Sequence, residues 1–428
     1  MNRLCIVFDI GSSSVRAAAF QLPPGKPPEM LEGSLVSLPL GLDDSGNTDA
    51  LLISTRMESC LDQCLVALRI WHARENGSLE KESQRTKGNP LAVSALGFAS
   101  FAMSWLGIDK EGTPVTPVYT YARTDPLAAD AVAVLRRKLS GEVLSPGETT
   151  TKTPSECSAR LRELYDDTGA PIHAAYAPAL LAQLASQDQE LYRKVAVWQT
   201  VGSWCLARWC GLKSYAAPIS TSEASWSGLL DLRSNQWHPV LLKALNLRVL
   251  SDTDLTAGQR PASSVAAAAA AALDDNLTET SALPPVWDYA DARLKHTLRL
   301  SPEKCARWPE LCCCSSPLPP PPSKARPTLE LVASNQDPAT TTHFPGGRSC
   351  CKIFLPVGDG AAANLGSGCA DNTRIAVTVG TSAAARVVLP TPPLLPSRAV
   401  GSDAVRLSEK GSCTTGNFGG GSGGGGGS

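Results

Sequence analysis

Blocks of apolar residues separated by short polar turns run through the first half of the chain. Residues 4–8, Leu-Cys-Ile-Val-Phe, form a near-continuous apolar run of the kind found in strands buried on both faces. Gly11-Ser12-Ser13-Ser14 reads as a tight turn, and residues 15–20 resume an extended apolar segment. Met57, Leu61, Cys64, Leu65 and Leu68 fall at three- and four-residue spacing, which predicts one buried stripe along a helix. Residues 91–98 predict another strand, 127–139 a helix rich in alanine and leucine, and 179–210 a stretch dominated by helical patterns. Strand and helix patterns mix without strict alternation, which predicts an α/β core with helical additions.

Beyond residue 250 this regularity is lost. Residues 251–350 hold an alanine run, four consecutive prolines within 317–322, the triplet Cys312-Cys313-Cys314 and many serines and threonines. Such a stretch is poor material for a packed core and is expected to be a flexible, disordered insertion. Order is predicted to resume at Cys351, with Ile353-Phe354-Leu355 leading into Gly358-Asp359-Gly360. A further strand, 375–379, ends in Gly380-Thr381-Ser382. The expected organisation is a first domain over 1–250, the insertion over 251–350, the start of a second domain over 351–390, and a Pro/Gly-rich disordered tail over 391–428.

Composition narrows the class of protein. With 428 residues, 43% apolar and 18% charged, the chain is long enough for two or three domains with buried cores. Lys plus Arg number 39 against 40 for Asp plus Glu, so nothing in the net charge of -1 attracts nucleic acid or a membrane surface. The densest basic cluster, Arg136-Arg137-Lys138, fits the solvated face of a helix. None of the fourteen cysteines forms Cys-x-x-Cys, and contiguous cysteines suit neither zinc knuckles nor a disulfide framework. Reduced, mostly buried thiols are expected. Asp9 interrupts the first apolar run too early for a secretory leader, and no stretch approaches the ~18 apolar residues of a spanning helix. A soluble cytoplasmic protein is expected.

Three short segments carry candidate chemistry. In Phe8-Asp9-Ile10-Gly11-Ser12-Ser13-Ser14-Val15-Arg16, a carboxylate at a strand end precedes a glycine and three hydroxyl residues. Backbone N–H groups of such a turn can point at phosphate oxygens, the hydroxyls can donate further bonds, and the carboxylate can hold Mg²⁺ through water. Taken alone, a plain β-hairpin with a polar turn reads equally well. In Gly358-Asp359-Gly360-Ala361-Ala362-Ala363-Asn364-Leu365-Gly366, Asp359 stands at the start of a small-residue helix, either as a ligand-facing carboxylate or as a helix cap. Val377-Thr378-Val379-Gly380-Thr381-Ser382 has the shape of a second phosphate loop, weak by itself.

In order along the chain, these three segments resemble the signature of the FGGY carbohydrate kinases. Asp167-Thr168-Gly169-Ala170-Pro171-Ile172-His173, and residues 220–231 from Ser220 to Asp231, look closest to the gluconate and ketose kinases of that family. The resemblance covers residues 3–248 and 353–389. It implies an actin-like, ribonuclease H-like ATPase core with a largely complete first domain and a partial second one. It also implies ATP and Mg²⁺ as cofactors and a small sugar or sugar acid as substrate, with a homodimer as an assembly it allows. Asp359 would be the general base. Asp9 would sit at the Mg²⁺–phosphate group, and Gly11, Ser12, Ser13 and Ser14 with Gly380, Thr381 and Ser382 would cradle phosphates. The sugar would meet Met103, Arg123, Asp125 and Asp359.

The sequence also departs from the family pattern. Met103 stands where the sugar-site loop usually has a histidine, and a thioether is a weak hydrogen-bond partner for a hydroxyl. In Tyr119-Thr120-Tyr121-Ala122-Arg123-Thr124-Asp125, the arginine and aspartate are exchanged relative to the family motif. The family continues well past the Gly-Thr-Ser loop with a glycine-rich segment for the adenosine, where this chain has its tail. A C-terminally truncated kinase is expected on this reading. The alternative is a relative that binds sugar or nucleotide without catalysis.

Overall fold

A computed structural model describes residues 3–75, 91–141, 153–212, 217–251, 280–288, 291, 293–294, 298–312, 351–379, 383–389, 405–407 and 413–414. Strand β1 (Arg3–Ile10) and β2 (Ser14–Leu22) form an antiparallel hairpin in which Asp9 lies opposite Arg16. Strands β3 (Glu29–Met30) and β4 (Val36–Pro39) both pair with β2. Helix α1 (Ala50–Glu75) buries Met57, Leu61, Cys64, Leu65 and Leu68, the stripe read from their spacing, together with Ile53. The Asp49 carboxylate starts this helix by accepting the Leu52 N–H at 2.7 Å. Strand β5 (Ala95–Ser100) then runs parallel to β1 on the side away from β2.

A second layer follows. Strand β6 (Trp105–Ile108) leads to helices α2 (Ala128–Ser140), α3 (Pro154–Thr168), α4 (Ala177–Gln187) and α5 (Gln189–Lys194). The stretch expected to be helical over 179–210 also contains β7 (Val197–Thr200), antiparallel to β6, before α6 (Val201–Cys210). All four residues of β7 are buried, so it shows no alternation to separate it from a buried helix turn. Strand β8 (Ile219–Ser220), helix α7 (Thr221–Ser225), the hairpin β9 (Leu230–Asp231) and β10 (Gln236–Trp237), helix α8 (Pro239–Leu245) and β11 (Arg248–Val249) complete the region.

The interval 251–350 is not one uniform insertion. Strand β12 (Ala282–Leu283) lies between β11 and β7, parallel to both, and β13 (Val286–Trp287) pairs with β8. Helix α9 (Pro302–Arg307) docks on α1: Lys304 pairs with Glu58 at 2.6 Å, and Arg307 pairs with Asp62 at 2.6 Å. Trp308, 1% exposed, lies against Trp209 with ring centroids 5.0 Å apart. These residues are core because their few apolar side chains fill gaps left by the first 250 residues, which local composition does not report. The alanine run, 266–272, and the proline run lie outside the described residues.

Strands β14 (Lys352–Ile353) and β15 (Val357–Gly358) join β5 as further parallel strands, and helix α10 (Asp359–Gly366) starts directly from β15. The hairpin β16 (Ile375–Val379) and β17 (Ala383–Leu389) follows, and its turn, with Gly380, Thr381 and Ser382, lies outside the described residues. Within the interval expected as a disordered tail, 391–428, β18 (Val405–Leu407) pairs with β17 and β19 (Cys413–Thr414) pairs with β18. Cys60, Cys64, Cys205 and Cys210 are buried as small apolar side chains, the role expected for them.

Candidate active site

Three parallel strands end at one place. Asp9 and Ile10 of β1 pair with Ala99 and Ser100 of β5, while Val357 and Gly358 of β15 pair with the same two residues from the other side. Asp9 and Asp359 therefore flank β5 at the carboxyl ends of the strands, where open α/β sheets bind ligands. Phe8 and Phe98 stack below them at 5.1 Å, and Trp209 meets both edge-on at 5.6 and 5.9 Å, which fixes the two strands against each other.

Asp359 is the first residue of α10, with Gly358 as the N-cap, so it is a first-turn acid and not the cap itself. Its side chain reaches solvent, yet protein crowds the carboxyl on its other sides, and this burial raises its pKa. The N–H groups of Gly360 and Ala102 and the charge of Arg386 act the other way, while Asp9 adds to the rise. A carboxylate tuned upward is better matched to accept a proton near neutral pH.

Asp9 is half-exposed and pairs with Arg16 at 3.2 Å across the hairpin. The turn after it is closed by the Gly11 N–H donating to the Ser14 carbonyl at 2.9 Å. The N–H groups of Ser12 and Ser13 make no hydrogen bond among the described residues. The Ser14 hydroxyl is buried with no partner among the described residues. Unfilled donors in a tight turn beside a carboxylate are what a phosphate-receiving loop requires.

The expected sugar-side residues divide. Ala102 touches Asp359, and Met103 follows it with φ of 58°, a left-handed conformation that is strained for a bulky residue. Tyr121, half-exposed, places its hydroxyl 3.2 Å from Ser12 Oγ and joins the 119–125 loop to the turn over 11–14. Arg123 and Asp125 join a network with Gln183. Arg123 pairs with Asp125 at 2.6 Å and donates to Gln183 at 2.6 Å, Gln183 donates to Asp125 at 2.8 Å, and Arg123 also covers the Tyr119 ring. Burial alone would raise Asp125, but the Leu127 N–H, Gln183 and Arg123 together lower it. The exchange of the two charges relative to the family motif leaves a satisfied ion pair.

This loop rests on Gly46, whose φ is 77° and where a Cβ would fall 2.2 Å from the Ala122 carbonyl. Gly46→Ala therefore combines an unfavourable left-handed backbone with a backbone clash. The apparent melting temperature should fall by several degrees, and an unchanged melting curve would show that the 119–125 loop yields freely.

Beneath Asp359, α7 grips the incoming strand. The Ser220 hydroxyl donates to the Pro356 carbonyl, and the Ser222 hydroxyl accepts the Gly358 N–H at 3.0 Å. A Cβ on Gly358 would lie 2.9 Å from Trp226 Nε1, so the strand passes directly over that indole. Tyr121, Trp226 and Glu223 lie inside the segments that resemble family motifs, with no local pattern that marks them as site residues. Arg386 gave no local signal, because its nearness to Asp359 arises only when β17 folds back. Among the described residues no cluster of three metal-ligating side chains occurs, and no helix is long and apolar enough to cross a membrane.

No protein-family profile matches the chain. An autoinducer-2 kinase from Klebsiella pneumoniae is 33% identical over 86 residues, 20% of this chain and 15% of the relative. The crystal structure of gluconate kinase from Lactobacillus acidophilus superposes with a TM-score of 0.58 at 14% identity, covering 97% of this chain and 59% of that one. Xylulose kinase from the same organism gives 0.59 at 16% identity, with the same coverage. The chain thus spans about three-fifths of the length of these structures. Its fold is that of the FGGY carbohydrate kinases, the family its motifs resemble.

Proposed function

We propose that the protein carries out ATP-dependent phosphorylation of a hydroxyl group on a small sugar or sugar acid. The supporting observation is the register that brings Asp9 and Asp359 to the ends of adjacent parallel strands beside a turn with unfilled donors. Asp359 is the general base: it takes the proton of the attacking hydroxyl as the new O–P bond forms and the bond to the leaving diphosphate breaks. A positioned base contributes about 10²–10⁴-fold, and the remainder of phosphoryl transfer is charge neutralisation and in-line placement. Residues 11–14, and by resemblance 380–382, hold phosphate oxygens. Mg²⁺ suits Asp9, because this ion keeps most of its waters and needs only one or two carboxylates plus phosphate oxygens. When bound, it neutralises charge on the transferred group. Gluconate and ketopentoses such as xylulose or ribulose are the candidate acceptors. The expected arrangement, a nucleotide- and sugar-binding unit over 1–250 continued by a second domain from 351, remains part of this proposal, as do the cytoplasmic setting and a homodimeric state.

A second reading, binding without catalysis, draws on Met103 at the histidine position and on the Arg123–Asp125–Gln183 network, in which Arg123 Nη2 is held by Asp125 and Gln183. A panel of sugars and sugar acids with ATP and Mg²⁺, read by ADP release and by calorimetric binding, separates the two. Sugar-dependent ADP release supports the kinase. Sugar binding with no ADP release across the panel supports the second reading.

Asp9→Ala provides a check on the metal role. The variant should show a weaker Mg²⁺ dependence of nucleotide binding. Because Asp9 raises the Asp359 carboxyl, the acid limb of turnover should also move to lower pH. Equal Mg²⁺ dependence in wild type and variant would remove Asp9 from the site.

A further inference from the structure

Glu223 lies inside the protein on α7, only 6% exposed, under the strand that delivers Asp359, and the reaction described above gives it no task. Its Oε2 is 3.0 Å from Thr200 Oγ1 and 3.0 Å from Ser203 Oγ. Gly202 makes room for it: a Cβ there would fall 3.1 Å from Glu223 Oε1 and 3.0 Å from the Pro356 ring. The carboxyl, the start of α6 and the segment before Asp359 are therefore in close contact.

Counting protons points to a neutral carboxyl. Ser203 Oγ also lies 3.2 Å from the Pro218 carbonyl oxygen. A carbonyl can only accept, and a hydroxyl has one proton to give. Ser203 satisfies both contacts by donating to Pro218 and accepting from Glu223, which requires a proton on Oε2. Thr200 then donates to the same oxygen. An ionised carboxylate would force Ser203 to abandon Pro218, leaving a buried carbonyl unpaired at a cost of roughly one hydrogen bond's desolvation.

The same short helix holds the strand. Ser220 accepts the Glu223 N–H at 3.0 Å while donating to Pro356, and Ser222 accepts the Gly358 N–H. We propose that Glu223, held as a neutral carboxylic acid, is a positioning residue that sets the placement of Asp359 through α7 and residues 356–358. This rests on the reading of Asp359 as the base.

The surroundings of Glu223 agree with a neutral acid. Its Oε2 faces the hydroxyls of Thr200 and Ser203, the titratable Cys205 lies nearby on α6, and Ser220 of β8 accepts its backbone N–H. Burial pushes Glu223 up to about 8, the two hydroxyls pulling downward. Cys205 is pushed up to about 12, chiefly by burial, so it remains a thiol where Glu223 titrates. In the unfolded chain a glutamate releases its proton at about 4.3. Between that value and about 8 the folded protein keeps a proton the unfolded chain has lost, so this group's contribution to stability falls as pH rises through the window. Above it the carboxylate forms, Ser203 is drawn from Pro218, and α7 with its strand is displaced.

The test follows the carboxyl carbons of Asp359 and Glu223 by carbon-13 NMR against pH, with Asp359→Asn identifying the first signal. In wild type the Glu223 carbon should titrate near 8, and the Asp359 signal should show a second inflection at that pH. Glu223→Gln keeps the volume, a donor and an acceptor but no titration, and should lose that inflection and the pH-dependent loss of stability between about 5 and 8. Where turnover is measured, kcat should fall about tenfold between pH 7 and 9 in wild type with KM unchanged, as expected for one group titrating near 8, and the Gln variant should lack that fall. Titration of the Glu223 carbon in the ordinary carboxylate range overturns the proposal, even if the variant fails to fold. An Asp359 signal without the second inflection overturns it also. The NMR arm needs no substrate, so an intact inflection with no turnover would count against the kinase reading alone.

Discussion

Asp359→Asn should lower turnover by at least about a hundredfold while leaving sugar and nucleotide binding nearly unchanged. The amide fills the same volume and can still accept the Gly360 N–H that Asp359 Oδ1 accepts at 2.8 Å, so the start of α10 should keep its geometry. What the amide lacks is the capacity to take a proton as the sugar oxygen attacks. That capacity matters only in the transition state, which is why kcat should fall and binding should not. The wild-type pH profile gives a second readout. Burial and the charge of Asp9 hold the Asp359 carboxyl above its ordinary value, so turnover should rise with pH through a range displaced upward from the usual carboxylate range. The variant should lose that limb altogether. Turnover within a few-fold of wild type would reduce Asp359 to a first-turn acid that favours the helix N-terminus electrostatically.

The parts of this structure legible in the sequence are those whose signal is local. Strand β1, its turn, strand β2 and the stripe along α1 were readable because apolar periodicity and a Gly-Ser-Ser-Ser turn report directly on backbone shape. Asp9 and Asp359 were readable as candidates for the same reason, each standing at a strand end beside glycine. Their meeting across β5 was not readable from spacing, since 350 residues separate them and only the sheet register brings them together. Resemblance to a family supplied that link. The Arg123–Asp125 pair shows the opposite limit: motif comparison marked the exchanged charges, and only the structure shows Gln183 completing their network. Glu223 was hidden by composition. A glutamate in a Ser/Thr-rich segment reads as a solvated side chain, and burial came only with the packing of α6 and Pro356 against it.

Trp308 carries the other large expected effect, in a region that low-complexity composition marks as dispensable. Trp308→Ala should destabilise the protein by about 3–5 kcal/mol, the usual cost of emptying a large buried aromatic site. The indole is 1% exposed, packs on Trp209 and donates its Nε1–H to Asp62 at 2.8 Å. Lys304 and Arg307 lie over its ring at 5.4 and 5.2 Å, and both reach carboxylates on α1. Removing the ring leaves a cavity beside Trp209, the residue that holds Phe8 and Phe98 and hence β1 and β5 under the site. Burial works against the Asp62 carboxyl, but its bonds to Arg307 and Trp308 together lower it. A lowered carboxylate stabilises the fold above its unfolded pKa and loses that contribution as pH falls through its folded value. The deficit of the Ala variant should therefore be larger at neutral pH than at acidic pH. Trp308→Phe, which keeps most of the packing but loses the pyrrole ring with its N–H donor, should cost roughly 1–3 kcal/mol. Urea denaturation of the three proteins at two pH values measures all of this, with limited proteolysis as a local probe. Wild type should resist cleavage within 298–312, whereas the Ala variant should be cut there. A cost below about 1 kcal/mol for Trp308→Ala, far under the range for a large buried aromatic, would mean that this segment is an appendage and that the first 250 residues close their core without it.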